Sequence, residues 1–100
     1  MALLLLAACG RAPVDCDAQT GLVRDGCLGG RIGELAEPAA VVTAAKAIND
    51  PLVRDAAVLH WVEDHRRGLA PADGQALCGL LSERERNTCQ RRLSAPHLAR

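Results

Sequence analysis

Ile48-Asn49-Asp50-Pro51-Leu52-Val53-Arg54-Asp55-Ala56-Ala57-Val58-Leu59-His60-Trp61-Val62 is the stretch that decides the fold, because it carries a complete helix grammar. Asp50 is a good N-cap, with a carboxylate that can accept the orphan N–H groups of a first turn. Pro51 follows at the first helical position, where its missing N–H costs nothing. Leu52, Ala56 and Leu59 then fall on one helical stripe, which Val53 and His60 widen. The spacing predicts a helix from Pro51 to about Arg66, ended by Gly68.

Working outward, the same punctuation recurs. Pro71 opens a helix to Leu81 with Ala76, Leu77, Leu80 and Leu81 on its apolar side. Ser82-Glu83-Arg84-Glu85 reads as a capping box in which Ser82 and Glu85 satisfy each other's N–H groups. The helix it starts should reach about Leu93 and stop before Pro96. Upstream, Pro38 opens a helix to Ile48 with Val41, Val42, Ala45 and Ile48 on its apolar side. Before it, a helix from Leu22 to Leu35 must absorb Gly26, Gly29, Gly30 and Gly33, each costing about 1 kcal/mol relative to Ala. A first helix from Pro13 to Thr20 would end at Gly21 as its C′ residue. The expected fold class is all-α.

A repeat underlies these helices. Leu22-Val23-Arg24-Asp25-Gly26-Cys27 aligns with Leu52-Val53-Arg54-Asp55-Ala56-Ala57, and more weakly with Arg84-Glu85-Arg86-Asn87-Thr88-Cys89. Arg24, Arg54 and Arg86 are spaced 30 and 32 residues apart, a period typical of stacked helical hairpins. The central copy, from Asn49 through Ala57, resembles the start of the second helix in HEAT-type repeats, where an Asp, a nearby Pro and a Val-Arg-x-Ala-Ala run recur. That resemblance implies three short helical hairpins stacked as a small array.

The cysteines follow the same register. Cys16 and Cys27 are 11 residues apart, as are Cys78 and Cys89. The equivalent positions of the middle copy, Lys46 and Ala57, lack both cysteines together, as local bridging predicts. The pairing Cys16–Cys27 and Cys78–Cys89 is therefore favoured over the two other connectivities that four cysteines allow. A long-range pairing between the terminal hairpins is the rival. Each local staple closes a short loop and contributes on the order of 3 kcal/mol in the chain-entropy model.

The fifth cysteine stands apart. Met1 is followed by an apolar run, Ala2 to Ala8, that stops at Cys9 and is far shorter than the about 20 residues a spanning helix needs. Leu6-Ala7-Ala8-Cys9 resembles the lipobox of bacterial lipoproteins. The resemblance implies a signal peptide at residues 1–8, cleavage before Cys9, and acylation of that cysteine. Residues 9–12 would be a lipidated tether, and residues 13–100 an all-α helical-hairpin domain. The bilayer, reached through acylated Cys9, becomes one partner, because several acyl chains anchor stably where one is marginal. Gly10 follows the cysteine where the family places Asp for inner-membrane retention, so the outer membrane is the expected address, facing the periplasm. The even set of four remaining cysteines suits that oxidising compartment.

Composition removes other function classes. One hundred residues make a single domain. Twelve basic side chains offset twelve acidic ones, so the electrostatic footprint of a nucleic-acid binder is missing. Arg84, Arg86, Arg91 and Arg92 gather near the end and read as a solvated helical face. With one Trp and neither Phe nor Tyr, the core must be aliphatic, and no aromatic platform for bases exists.

Chemical motifs are sparse. The cysteine spacing does not suit zinc, and no C-x-x-C redox motif occurs. His60 and His65 diverge by about 140° on a helix and cannot chelate one ion. His60 with Asp64, at i and i+4, is the better pair. Ser82 is a cap and Ser94 ends a helix; neither lies in G-x-S-x-G. Gly29-Gly30-Arg31-Ile32-Gly33 lacks the ending of a phosphate loop. No enzyme, cofactor or resident metal is expected. The function expected is a membrane-anchored module for protein interaction or structure, with an unidentified protein partner. Trp61, placed opposite Leu52 on the wheel and beside His65, is the candidate exposed anchor for that partner, the equal alternative being that it packs against a neighbouring hairpin. The alternative is a periplasmic metal-handling protein using His60, Asp64, His97 and a reduced Cys16 and Cys27 pair as soft ligands.

Overall fold

Proline and Asp50 set the helix starts much where the sequence places them. The structure, a computed structural model, describes residues 15–94. Five α-helices form there: α1 (Gly21–Ile32), α2 (Pro38–Lys46), α3 (Pro51–His65), α4 (Pro71–Cys78) and α5 (Glu83–Ser94). Pro38, Pro51 and Pro71 each occupy a first helical position. Asp50 caps α3 as expected, its carboxylate accepting the Val53 N–H at 3.0 Å.

The ends differ for local reasons. α2 and α4 stop short of Ile48 and Leu81 because the chain tightens to i→i−3 bonds, Ile48 to Ala45 and Leu81 to Cys78, each 3.1 Å. This turns Ile48 and Leu81 inward, and both are buried. Beyond α3 the chain tightens into a 3₁₀ turn, Arg66–Gly68. α1 likewise ends at Ile32, and Leu35 N–H returns to the Ile32 carbonyl. The expected first helix is reduced to one 3₁₀ turn, Cys16–Ala18, which Asp15 caps by accepting the Asp17 N–H; Pro13 and Val14 lie outside the described residues. Gly21 does not close that helix. It opens α1 at φ +59°, a conformation glycine adopts without steric cost.

The helices form two layers. α1, α3 and α5, the second element of each hairpin, lie side by side, and α2 packs beside α4 across them. The 3₁₀ turn packs on α1, α2 on α3, and α4 on α5, which gives three short hairpins stacked in order. Cys16–Cys27 and Cys78–Cys89 are disulfides with Cα separations of 5.5 and 5.6 Å. The first staple ties a 3₁₀ turn, not a full helix, to α1.

One face is reversed. The stripe Leu52, Ala56 and Leu59 was expected to face the core, with Trp61 outside. In the structure α3 buries Asp55, Val58, Trp61 and Val62, and Leu52 is exposed. The reason is payload: Val58, Trp61 and Val62 remove more apolar area from water than Leu52, Ala56 and Leu59 would, and of that stripe only Leu59 stays half-buried against the core. Trp61 belongs to the same buried cluster as Ile32, Val41, Ala45, Leu77 and Leu81, and its indole N–H donates to the Leu35 carbonyl at 2.9 Å. α1 and α3 meet where Gly29 faces Val53 and Ala57.

Candidate interaction surface

The repeated Leu-Val-Arg-Asp string places a buried carboxylate at the same point of two successive hairpins. Asp25 and Asp55 are each 3 % exposed. Asp25 accepts the N–H groups of Asn49 at 3.3 Å and Asp50 at 2.9 Å, at the start of α3. Asp55 accepts the Ser82 N–H at 3.3 Å, at the start of α5. Each aspartate therefore satisfies orphan donors of the next hairpin's second helix. The preceding arginine neutralises each one. Arg54 reaches Asp55 through Nε at 3.0 Å and Nη2 at 2.9 Å, and Arg24 reaches Asp25 at 3.4 Å. Arg24 also donates to the Ala47 carbonyl and Arg54 to the Ser82 hydroxyl. The Ser82 N–H that a capping box would give to Glu85 thus goes to Asp55. In the third copy Asn87 stands where the acid was, and is exposed. Arg86 donates through Nη2 to the Leu81 carbonyl, while its buried Nε finds no partner among the described residues.

Trp61 and His65, the expected partner-binding pair, separate in exposure. Trp61 is 2 % exposed, so it is a core residue and not a surface anchor. His65 stacks on it with ring centroids 3.9 Å apart, and its Nδ1 lies 2.8 Å from the Trp61 carbonyl. The half-buried His65 lines a shallow cavity of about 360 Å³ between the starts of α2 and α4, with Glu37 and Asp73 also on its wall.

The remaining predicted groups are mostly engaged structurally. His60 and Asp64 form the expected pair, 3.4 Å apart and exposed. Ser94 donates to the Gln90 carbonyl. Glu63 accepts from Arg92 and, at 2.8 Å, from Arg66, bridging α3 to α5. The Arg92 hydrogen bond, with the positive charges of Arg92 and Arg66, holds the Glu63 carboxyl below its usual range despite burial. Arg91 donates to the Thr88 hydroxyl. Cys9 and His97 lie outside the described residues. Among the described residues, no three His, Cys, Asp or Glu side chains converge as metal ligands, and no helix is long and apolar enough to cross a membrane.

Sequence reasoning missed two features. One is the inward aspartates, whose signal was the acid following arginine in both copies. The other is an apolar surface: Leu22, Val23 and Leu52 are 66 %, 67 % and 79 % exposed, at equivalent first turns of α1 and α3. Leu52 edges an open trough between α1 and α3 that is lined by Gly26, Gly29, Ala56 and Ala57. No protein-family model, curated protein or solved structure matches the chain.

Proposed function

We propose that the chain is a lipid-anchored protein of the bacterial cell envelope whose hairpin domain serves as a structural or protein-interaction module. The observation that carries this reading is the division of the cysteines. Four pair locally within the domain, leaving Cys9 as the odd one, at the end of Leu6-Ala7-Ala8-Cys9. Local disulfides persist in oxidising compartments, which a lipobox-bearing chain would reach by export. Acylation of Cys9 would then tether the domain, with the outer membrane favoured by Gly10.

The hairpins are, in this reading, HEAT-like. Support comes from the two Leu-Val-Arg-Asp copies, each sending a buried aspartate to the next hairpin, since stacked arrays are held by repeated nearest-neighbour contacts. A protein partner would meet the cavity beside His65. The deciding experiment is the intact mass of the protein from its host's membranes, before and after reduction and alkylation. An acylated chain beginning at Cys9, with four thiols released only by reduction, is the expected result. A chain beginning at Met1 with five free thiols would overturn the proposal.

A further inference from the structure

Leu22, Val23 and Leu52 are the large apolar side chains that stand exposed among the described residues, and all three lie at one end of the α1–α3 layer. The chain enters the domain at that same end. Cys16 is bonded to Cys27, and Cys27 lies one helical turn from Val23 on the same face of α1. We propose that this apolar end of α1 and α3 rests on the lipid bilayer, with zwitterionic phospholipid as the surface it contacts.

The inference rests on the anchoring proposed above and adds an orientation to it. Between an acylated Cys9 and Asp15 there are six residue steps, which span at most about 20 Å when fully extended. The membrane surface is thus never far from the turn that Cys16 fastens to α1. Three side chains would hold a free protein only weakly. A short tether makes their contact effectively intramolecular, so even a weak apolar contact becomes populated. Charge selects the lipid. Asp15 and Asp17 are exposed at this end and Arg24 pairs with Asp17 at 3.9 Å, so these groups carry no net positive charge to draw an anionic surface, and apolar burial carries the contact.

The test uses acylated protein reconstituted into vesicles of phosphatidylcholine, with either ordinary or brominated acyl chains. Leu52→Trp puts an indole on the proposed contact, and Thr43→Trp puts one on the exposed side of α2, away from buried Val41 and Ala45. The wild-type protein supplies the background of buried Trp61. The expected result is loss of the added fluorescence in brominated vesicles for Leu52→Trp, with that of Thr43→Trp retained. Retention at both positions, or equal loss at both, overturns the orientation. So does retention for Leu52→Trp accompanied by a cross-linked dimer, which would assign the face to a second copy. Intact mass is measured on the same sample. An unacylated chain overturns the anchoring itself, whereas an acylated chain with the wrong quenching pattern overturns only the contact.

Discussion

Replacing Asp55 by alanine tests whether the hairpins are held together by buried carboxylates. The side chain accepts two hydrogen bonds, from Arg54 Nε and from the Ser82 N–H, and forms an ion pair with Arg54 Nη2 at 2.9 Å. Its removal leaves the Ser82 N–H without this acceptor, at a cost near the lower end of about 1–3 kcal/mol because Ser82 is itself exposed to water. It also removes the partner of Arg54, whose side chain is 23 % exposed and regains some water. A fully buried pair broken on one side costs about 3–5 kcal/mol, so partial exposure places the sum for Asp55→Ala near 3 kcal/mol. A domain of this size has about 5–10 kcal/mol in total, so the loss is a large fraction. Asp55→Asn keeps the shape and one acceptor and should lose roughly half as much, because the charge-assisted bonds are the stronger ones. Urea unfolding at neutral pH reads both values from the midpoint at unchanged slope. A double-mutant cycle with Arg54→Ala should return a coupling of about 1–2 kcal/mol. A loss below about 1 kcal/mol for Asp55→Ala would refute the reasoning, since it would show the donors re-solvating freely.

Other expectations follow from the same geometry. Trp61→Ala should cost about 3–5 kcal/mol in urea unfolding, because it empties the core and orphans the Leu35 carbonyl; a loss under 1 kcal/mol would return Trp61 to the surface. Replacing Cys78 and Cys89 together by alanine should lower stability by about 3 kcal/mol, and an unchanged midpoint would mean that the staple leaves the unfolded chain unconstrained. Gly26→Ala and Gly30→Ala should each stabilise by about 0.5–1 kcal/mol, since an added Cβ meets nothing within 4 Å at either site; a fall in melting temperature would reveal a hidden contact. The Glu63 carboxyl is depressed in the folded state, so its contribution is full above the unfolded carboxylate range and fades as pH falls through the lower folded value. Glu63→Gln should therefore flatten the acid side of the stability profile, and an identical profile for the variant would remove the Glu63–Arg92 bridge from the account.

How far the sequence could be read follows from which groups make local and which make long-range contacts. Pro38, Asp50, Pro51 and Pro71 act within one turn of their own helix, so the helix starts were legible. The disulfide register was legible because a pair absent together from the middle copy points to local bonding. The outward face of α3 was not, because both sides of that helix are apolar. Leu52, Val53 and Ala56 compete with Val58, Trp61 and Val62, and only packing against α2 and α4 decides between them. The roles of Asp25 and Asp55 were hidden for a similar reason. An acid after an arginine reads as solvated until the chain brings Asn49, Asp50 and Ser82, about 25 residues on, to its carboxylate.

The two kinds of fastening divide along the array in a way that explains the missing cysteines of the middle hairpin. Where the outer hairpins carry their disulfides, the α2–α3 hairpin has Lys46 and Ala57. In a stacked array each unit draws stability from its own fold and from each neighbour it touches. The α2–α3 hairpin receives the Asp25 carboxylate at its start and sends Asp55 to the hairpin after it, so it is held on both sides. It also supplies Val41, Ala45, Ile48, Val58, Trp61 and Val62, more than half of the buried core cluster. The first hairpin has a single neighbour and a helix weakened by glycines. The third has a single neighbour and an α5 that buries only Cys89. Each outer hairpin lacks about one interface, and each carries a crosslink closing a loop of 11 residues, which offsets a deficit on the order of 3 kcal/mol. Moving the staple inward, by cysteines at positions 46 and 57, should therefore stabilise less than either native disulfide does, even if the bond forms without strain.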